Sequence, residues 1–331
     1  MSRNMRAIIL TEGGKHIGLG HIYRCEAIIQ ALKKLSIDCT FIINGDSSIA
    51  DLILKTDFTL KNWLMDYESI FNTNSDVVVV DSYHAPLELL KKITSESKLA
   101  AFLDDYNRLE YPPGLVINSS ITARQLDYKK RNGTEYLLGT KYHPMRAEFW
   151  ECKDKAINHQ VKEVLITLGG SDMQNLTPSI LNLLLPRTGI RKKVVVGKGF
   201  SNISEIEKAA DPTCEIIWFP DAAEMKKLMM EADIAISAAG QTLYELARIG
   251  LPTIAIGVAD NQNSNVKGWQ STDFIEFAGW WYDPDLKENI LNKFDHLMDF
   301  TIRSKKSEAG TAQIDGSGAL QIGRQIISRM A

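Results

Sequence analysis

A histidine and an arginine stand one helical turn apart in the stretch "IGLGHIYRC", at His21 and Arg24. Gly18 and Gly20 precede the pair and follow the apolar run "AIILT", so the histidine lies where a strand turns into a helix. A helix N-terminus disfavours positive charge, which keeps an imidazole neutral, as a general base requires. A histidine that only caps or packs there is the alternative. The dinucleotide fingerprint needs a glycine where Tyr23 stands, and no P-loop motif occurs.

Two glycine-bearing turns of the second half of the chain could donate backbone amides to a phosphate. They lie in "TLGGSDMQN" and "ISAAGQTLYELARIGLP" and comprise Gly169, Gly170, Ser171, Ser237 and Gly240. Glu245 falls five residues beyond the second turn, inside a predicted helix, where a carboxylate can accept two hydrogen bonds from a ribose diol. A glutamate at such a position is otherwise a solvated surface residue.

Short strands alternate with helical patterns along both halves of the chain. Runs such as "AIILT", "DVVVVD" and "EVLITLGG" are apolar at nearly every position, which suits parallel strands buried on both faces. The segment 146–162 is polar and separates the two halves. We therefore predict α/β domains over 1–155 and 156–331 that face a cleft. Ligands of such sheets bind beyond the carboxyl ends of the strands. The pattern "GALQIGRQIISRM" predicts a closing helix of the second domain.

Composition excludes several classes of function. The chain has 331 residues, of which 44% are hydrophobic, and a net charge of −3. This charge predicts no basic surface for binding nucleic acid or a membrane. The first residues are too polar for a signal peptide, so we expect a cytoplasmic protein. Scattered cysteines at Cys25, Cys39, Cys152 and Cys214 argue against a zinc site or a disulfide framework.

The segment "SAAGQTLYEL", followed by "GLPTIAI", resembles the nucleotide-binding helix of GT-B-fold glycosyltransferases, especially the one that adds N-acetylglucosamine to lipid I. The resemblance implies a GT-B fold, in which two doubly wound, Rossmann-like α/β domains face a central cleft. It also implies that Ser237 and Gly240 approach the diphosphate of a nucleotide and that Glu245 binds the ribose.

The stretch "IGLGHIYR" is similar to a narrower group, the UDP-2,4-diacetamido-2,4,6-trideoxy-β-L-altropyranose hydrolase family of pseudaminic acid biosynthesis. The likeness continues through "VVDSYH", "FLDD", "VIN", "MRAEF", "LGGSD" and "DNQNS". Two departures stand out: Ser82 replaces a histidine that some relatives carry, and the chain extends over 281–331 beyond compact members.

This resemblance implies hydrolysis of a UDP-sugar at the anomeric carbon with inversion, and His21 as the base that deprotonates water. It implies catalytic roles for His21, Asp81 and Tyr83. It implies substrate contacts for Gly18, Gly20, Arg24, Asp105, Asn118, Asn261 and Gln262, and nucleotide contacts for Gly169, Gly170, Ser171, Ser237, Gly240 and Glu245. Either Asp81 or Asp105 orients the imidazole, and Arg24 contacts either the substrate or a carboxylate. We expect no cofactor, no metal, and a monomer or weak oligomer.

Three other functions stay open at this stage. A glycosyltransferase could use His21 to deprotonate an acceptor hydroxyl instead of water. A protein that binds a UDP-sugar without turnover, or a hydrolysing 2-epimerase, could carry the same glycine loops.

Overall fold

The computed structural model describes a defined set of residues, namely 5–14, 17–46, 49, 56–71 and 75–330. The chain forms two compact units. The first unit contains Met1–Trp150 together with Gly316–Ala331, and the second contains Glu151–Asp315. From the sequence we predicted that residues 156–331 form one domain, whereas in the structure Gly316–Ala331 belongs to the first unit.

The described part of the first unit contains a parallel sheet of seven strands in the order β3-β2-β1-β4-β5-β6-β7. Its strands are β1 Arg6–Gly13, β2 Asp38–Gly45, β3 Thr59–Leu60, β4 Val77–Asp81, β5 Leu99–Leu103, β6 Gly114–Asn118 and β7 Thr134–Leu138. The order reverses direction between the neighbours β1 and β4. Such a switch point opens a crevice at the carboxyl ends of the strands.

The second unit repeats this arrangement with a parallel sheet in the order β10-β9-β8-β11-β12-β13. Its strands are β8 Glu163–Thr167, β9 Arg191–Val196, β10 Cys214–Trp218, β11 Ile234–Ala238, β12 Thr253–Gly257 and β13 Ile275–Trp280. Its switch point lies between β8 and β11, so the two predicted glycine turns follow the two strands that flank the crevice.

Helices connect the strands and cover both sheets. In chain order they are α1 Gly20–Lys34, α2 Glu68–Phe71, α3 Leu87–Glu96, α4 Leu176–Leu184, α5 Ile203–Ala209, α6 Ala222–Glu231, α7 Thr242–Ile249, α8 Asn263–Ser271, α9 Leu286–His296, α10 Phe300–Thr311 and α11 Gly318–Met330.

Successive residues of β1 enter two different cores of the first unit. Ala7 and Ile9 pack with the apolar stripe of α1, and Ile8 and Leu10 pack with that of α3. All four are at most 2% exposed. A strand buried on both faces explains why its sequence is an unbroken apolar run.

The C-terminal helix α11 packs against α1. Ile322 and Ile326 are fully buried in the same core as the α1 stripe. A Cβ at Gly323 would lie 2.6 Å from Leu35 Cδ1, and one at Gly318 would lie 2.1 Å from the His143 carbonyl oxygen. The helical spacing was predicted from sequence, but the helix packs in the first unit, because Ile322 and Ile326 join the core that contains the apolar stripe of α1.

Candidate active site

The loop that follows β1 brings the backbone to the switch point of the first unit. Gly14 N–H donates to the Gly18 carbonyl at 3.1 Å, and Gly18 N–H donates back to Gly14 at 2.8 Å. Gly18 has φ +87°, a conformation that favours glycine. Apart from the adjoining backbone, no described atom lies within 4 Å of where a Cβ would stand at Gly18 or Gly20. This part of the loop therefore leaves room beside the start of α1.

His21 lies in the first turn of α1 and contacts Asp81, the last residue of β4. Nδ1 of the imidazole is 2.7 Å from Asp81 Oδ1, and the two residues are 7% and 0% exposed. Burial alone raises the pKa of Asp81, but the charges of Arg24 and His21 outweigh it and hold that pKa below its ordinary range. An ionised carboxylate only accepts, so we assign the proton to Nδ1 and the lone pair to Nε2. The imidazole is thereby oriented with a basic nitrogen directed away from Asp81.

Arg24 joins two carboxylates of the site. Its Nε and Nη2 donate to Asp81 at 2.5 and 2.6 Å, and Nη1 donates to Asp105 at 2.8 Å. Burial lowers the pKa of Arg24, but Asp105 and Asp81 raise it well above its ordinary value. Of the two alternatives left open by the sequence, the geometry gives Arg24 the role of carboxylate partner. One cation against two anions leaves this cluster with a net negative charge beside His21.

Tyr83 lies against the His21 ring and donates its hydroxyl hydrogen to Asp105. The two ring centroids are 4.5 Å apart, and the planes are nearly perpendicular at 84°. Burial and the charge of Asp105 raise the pKa of Tyr83, so the hydroxyl stays protonated. The structure thus gathers five predicted residues in one network, and it places Asp81 rather than Asp105 on the imidazole.

Asn118 lies outside this network. Its side chain is fully buried, its Nδ2 donates to Tyr128 Oη at 2.9 Å, and its Oδ1 accepts from Ser120 N–H at 3.0 Å. Tyr128 in turn donates to Asp104, the neighbour of Asp105. These bonds hold the loops after β5 and β6, and a contact between Asn118 and a substrate stays a prediction.

Sequence reasoning missed two residues near the site. Glu12, near the end of β1, is fully buried and accepts the Tyr83 backbone N–H at 2.8 Å. An acid inside an apolar strand was the signal that could have identified it. His143 is buried, and burial followed by the nearby charge of Arg24 lowers its pKa to about 3. No motif singled out His143, because its surroundings come from distant parts of the chain.

In the second unit, the turn after β8 is shaped by close backbone contacts. Gly169 has φ +88°, and a Cβ at Gly197 or Gly199 would lie 2.6 or 2.9 Å from the Gly170 carbonyl oxygen. Gly170 and Ser171 are exposed. The turn after β8 therefore needs Gly197 and Gly199 in the neighbouring turn after β9, and it presents its own backbone to solvent.

The N-termini of α4 and α7 differ in how their amides are used. Asp172 accepts from the first two N–H groups of α4 at 2.9 and 2.8 Å, so a carboxylate already occupies that helix end. At α7 the N-cap residue is Gln241, and its side chain makes no capping hydrogen bond. The end that begins beside Gly240 is therefore the better site for an anion. Glu245 lies in the first turn of α7 and is half-buried.

Three further predicted residues lie in the strand before the Gly240 turn or close to that turn. Ser237 is fully buried in β11, and its hydroxyl bonds to the Ala238 carbonyl at 3.1 Å. Gln262 Nε2 lies 3.5 Å from the Cβ position of Gly240, and its Oε1 accepts from Val258 N–H. Asn261 is the exposed neighbour of Gln262. The structure thus places Gln262, next to Asn261 in the chain, beside the Gly240 turn of the second unit.

The described residues contain neither a metal-ligand cluster nor a membrane-spanning helix. No three His, Cys, Asp or Glu side chains in these ranges are grouped so that they could hold a metal ion. Within the same ranges, no helix has the length and apolar content needed to cross a membrane.

Comparison with known proteins gives distant relatives. No family model matches the chain. It is 27% identical over 258 residues to the Helicobacter pylori protein named pseudaminic acid cytidylyltransferase and UDP-2,4-diacetamido-2,4,6-trideoxy-beta-L-altropyranose hydrolase, a match of 77% of this chain and 44% of that protein. It is 27% identical over 270 residues to an uncharacterized Methanocaldococcus jannaschii protein, covering 76% of this chain and 55% of the other. The chain thus spans about half the length of these two relatives.

A third relative matches along nearly its whole length. The spore coat polysaccharide biosynthesis protein SpsG of Bacillus subtilis is 23% identical, with 96% of each chain covered. Solved structures agree in fold: Acinetobacter baumannii MurG has a TM-score of 0.64 at 14% identity, covering 98% of this chain and 99% of MurG. A calicheamicin glycosyltransferase has a TM-score of 0.68 at 12% identity, covering 99% and 98%. The chain has the GT-B fold, as the sequence predicted.

Proposed function

We propose that this protein hydrolyses a UDP-linked diacetamido-trideoxyhexose at the anomeric carbon and releases UDP and the free sugar for synthesis of a pseudaminic-type acid. The observation that carries the proposal is the His21–Asp81 pair, because its 2.7 Å bond holds Nδ1 and leaves Nε2 as the acceptor. The printed name of the Helicobacter pylori relative supports this reaction.

In the proposed step, a water molecule donates a hydrogen bond to His21 Nε2 and attacks the anomeric carbon. The water proton passes to Nε2 while the new carbon–oxygen bond forms. The bond from the anomeric carbon to the UDP oxygen breaks, and its electron pair leaves with UDP. Asp81 and the surrounding negative charge stabilise the imidazolium that results. Attack from the face opposite UDP inverts the anomeric centre.

We assign the leaving group to the second unit. The backbone amides at Gly169–Ser171 and at the Gly240 end of α7 are the proposed donors to the diphosphate. Glu245 is the proposed partner of the ribose hydroxyls. Asn261 and Gln262 are proposed substrate contacts, and the place of Gln262 beside Gly240 favours groups close to the diphosphate.

The test is UDP release from a UDP-sugar without any acceptor, followed by NMR of the free sugar. His21→Asn should lower kcat by about 10²–10⁴-fold, the usual contribution of a general base, while UDP affinity changes by less than about three-fold. His296→Asn in the second unit is the matched control, because it too removes an imidazole paired with a carboxylate, here that of Glu276. Loss of UDP binding in His21→Asn would contradict the proposed division of roles.

A glycosyltransferase is the second candidate, favoured by the glycosyltransferase among the structural neighbours. In that reaction His21 Nε2 accepts the proton of a sugar hydroxyl instead of water. The same assay separates the two, because a transferase releases UDP at an appreciable rate only when an acceptor is added.

A further inference from the structure

Glu12 is a buried carboxylate with no assigned role in the proposed reaction. Its side chain is 0% exposed. Oε1 accepts the Tyr83 backbone N–H at 2.8 Å and lies 2.9 Å from His84 Nδ1, and Oε2 accepts the Ser82 hydroxyl at 2.7 Å. A buried carboxylate is tolerated only when such donors satisfy it. All three donors come from one turn, the residues that follow Asp81.

Glu12 reaches this turn from the face of the sheet that carries α3. Residues alternate along β1, so Glu12 shares its face with Ile8 and Leu10, which pack with α3. Thr11, on the opposite face, donates its hydroxyl to the Asp81 carbonyl at 3.1 Å. The end of β1 therefore holds the end of β4 from both sides.

Ser82 extends the hydrogen-bond network to the residues just before α3. Its Oγ accepts N–H groups from His84 at 3.0 Å and Ala85 at 2.9 Å while donating to Glu12. The sequence singled out Ser82 only as a departure from relatives. In the structure it links the buried carboxylate to the backbone of the turn.

The turn matters because Tyr83 belongs to it. The backbone of Tyr83 is bonded to Glu12, while its ring lies 4.5 Å from the His21 ring and its hydroxyl donates to Asp105. Tyr83 is thus held at its backbone by one carboxylate and at its hydroxyl by another.

We propose that Glu12, acting with Ser82, is a positioning residue that fixes the Tyr83 backbone and so holds the Tyr83 ring against His21. Its effect on turnover rests on the proposed function, whereas its effect on the His21 environment does not. Loss of the anchor moves Tyr83 and frees the imidazole to leave the orientation set by Asp81.

Two substitutions at Glu12 separate this role from simple loss of a charge. Glu12→Ala removes every acceptor, whereas Glu12→Gln keeps an oxygen for the Tyr83 N–H and removes the charge. We expect kcat to fall by about 10–100-fold in Glu12→Ala and by less than about three-fold in Glu12→Gln, because small misplacements at a reacting centre have effects of this size. KM for the UDP-sugar and the affinity for UDP stay near wild type in both.

The second readout is NMR of the imidazole groups in protein labelled at histidine. The chain has 6 histidines, so His21→Asn assigns the His21 signal by its disappearance. Both Glu12→Ala and Tyr83→Ala should shift that signal, because the Tyr83 ring lies nearly perpendicular to the His21 ring at a centroid distance of 4.5 Å. Glu276→Ala is the matched control, since Glu276 is a buried glutamate paired with His296 in the second unit.

A wild-type His21 signal and wild-type kcat in Glu12→Ala would overturn the proposal. An equal loss of kcat in Glu12→Ala and Glu12→Gln would also overturn it, because charge rather than the Tyr83 anchor would then matter. The same loss in Glu276→Ala would assign the effect to general destabilisation and overturn it too. If wild-type protein releases UDP from no UDP-sugar, the proposed function fails, and the His21 signal alone decides the role of Glu12.

Discussion

Replacement of Asp81 by asparagine tests the orientation of His21 most directly. The Asp81 oxygens receive His21 Nδ1 at 2.7 Å and two nitrogens of Arg24. Asparagine has a similar shape but carries an NH₂ group and no charge. Where that NH₂ faces the imidazole, Nδ1 must accept, and the proton moves to Nε2, the nitrogen that the base needs free.

The size of the effect follows from the lost charge. With charge centres about 4 Å apart and an effective dielectric constant of about 20, the attraction between Asp81 and an imidazolium is about 4 kcal/mol. That energy corresponds to about 10³-fold in kcat. We expect the affinity for UDP to change by less than about three-fold, because the proposed UDP contacts lie in the second unit.

The assay is UDP release under saturating UDP-sugar, with thermal unfolding measured in parallel to confirm that each variant is folded. Asp105→Asn is the matched control, since Asp105 bonds to Arg24 and Tyr83 while Asp81 bonds to His21. We expect Asp105→Asn to lower kcat by only about ten-fold. A loss in Asp81→Asn no larger than that of Asp105→Asn would refute the assignment of Asp81 as the orienting carboxylate.

Two predictions concern stability. Gly318→Ala places a methyl group 2.1 Å from the His143 carbonyl oxygen and should reduce the free energy of unfolding by about 1–3 kcal/mol. Gly189→Ala is the control, because its methyl group meets open space and should leave the free energy of unfolding unchanged. Equal melting temperatures of the two variants would contradict the packing of α11. The pKa of His143 falls to about 3 in the fold, so its contribution is fully present above an unfolded pKa of about 6.5 and is lost as the pH falls towards 3. Urea unfolding across that range should show a shallower pH dependence in His143→Gln, and an unchanged slope would rule out a neutral buried imidazole.

Much of the fold could be predicted because strands buried on both faces leave unbroken apolar runs. Unbroken apolar runs do not reveal β7, because Glu135 interrupts "TEYLL", or β13, because Glu276 and Gly279 interrupt "IEFAGW". Both lie at a sheet edge, where one side of the strand needs no apolar partner. The unit to which α11 belongs was not predictable, because an amphipathic pattern indicates a buried face but not the surface that buries it.

The candidate site, like the fold, could be predicted only in part from the sequence. His21 follows from the glycine loop at the start of α1, whereas Asp81 and Tyr83 entered only through the resemblance of "VVDSYH" to the hydrolase family. The choice between Asp81 and Asp105 needed side-chain geometry, because both follow strands of the same sheet. Glu12 was missed because its donors come from residues about 70 positions further along the chain.

The return of α11 to the first unit affects the order in which the chain can fold during synthesis. Every residue of the second unit has been made once Asp315 is added, but the first unit still lacks the helix that covers the apolar stripe of α1. Domains made first usually fold first. Here the N-terminal unit, with the candidate catalytic residues, completes its core only after the second unit has been synthesised, because α11 follows that unit in the chain.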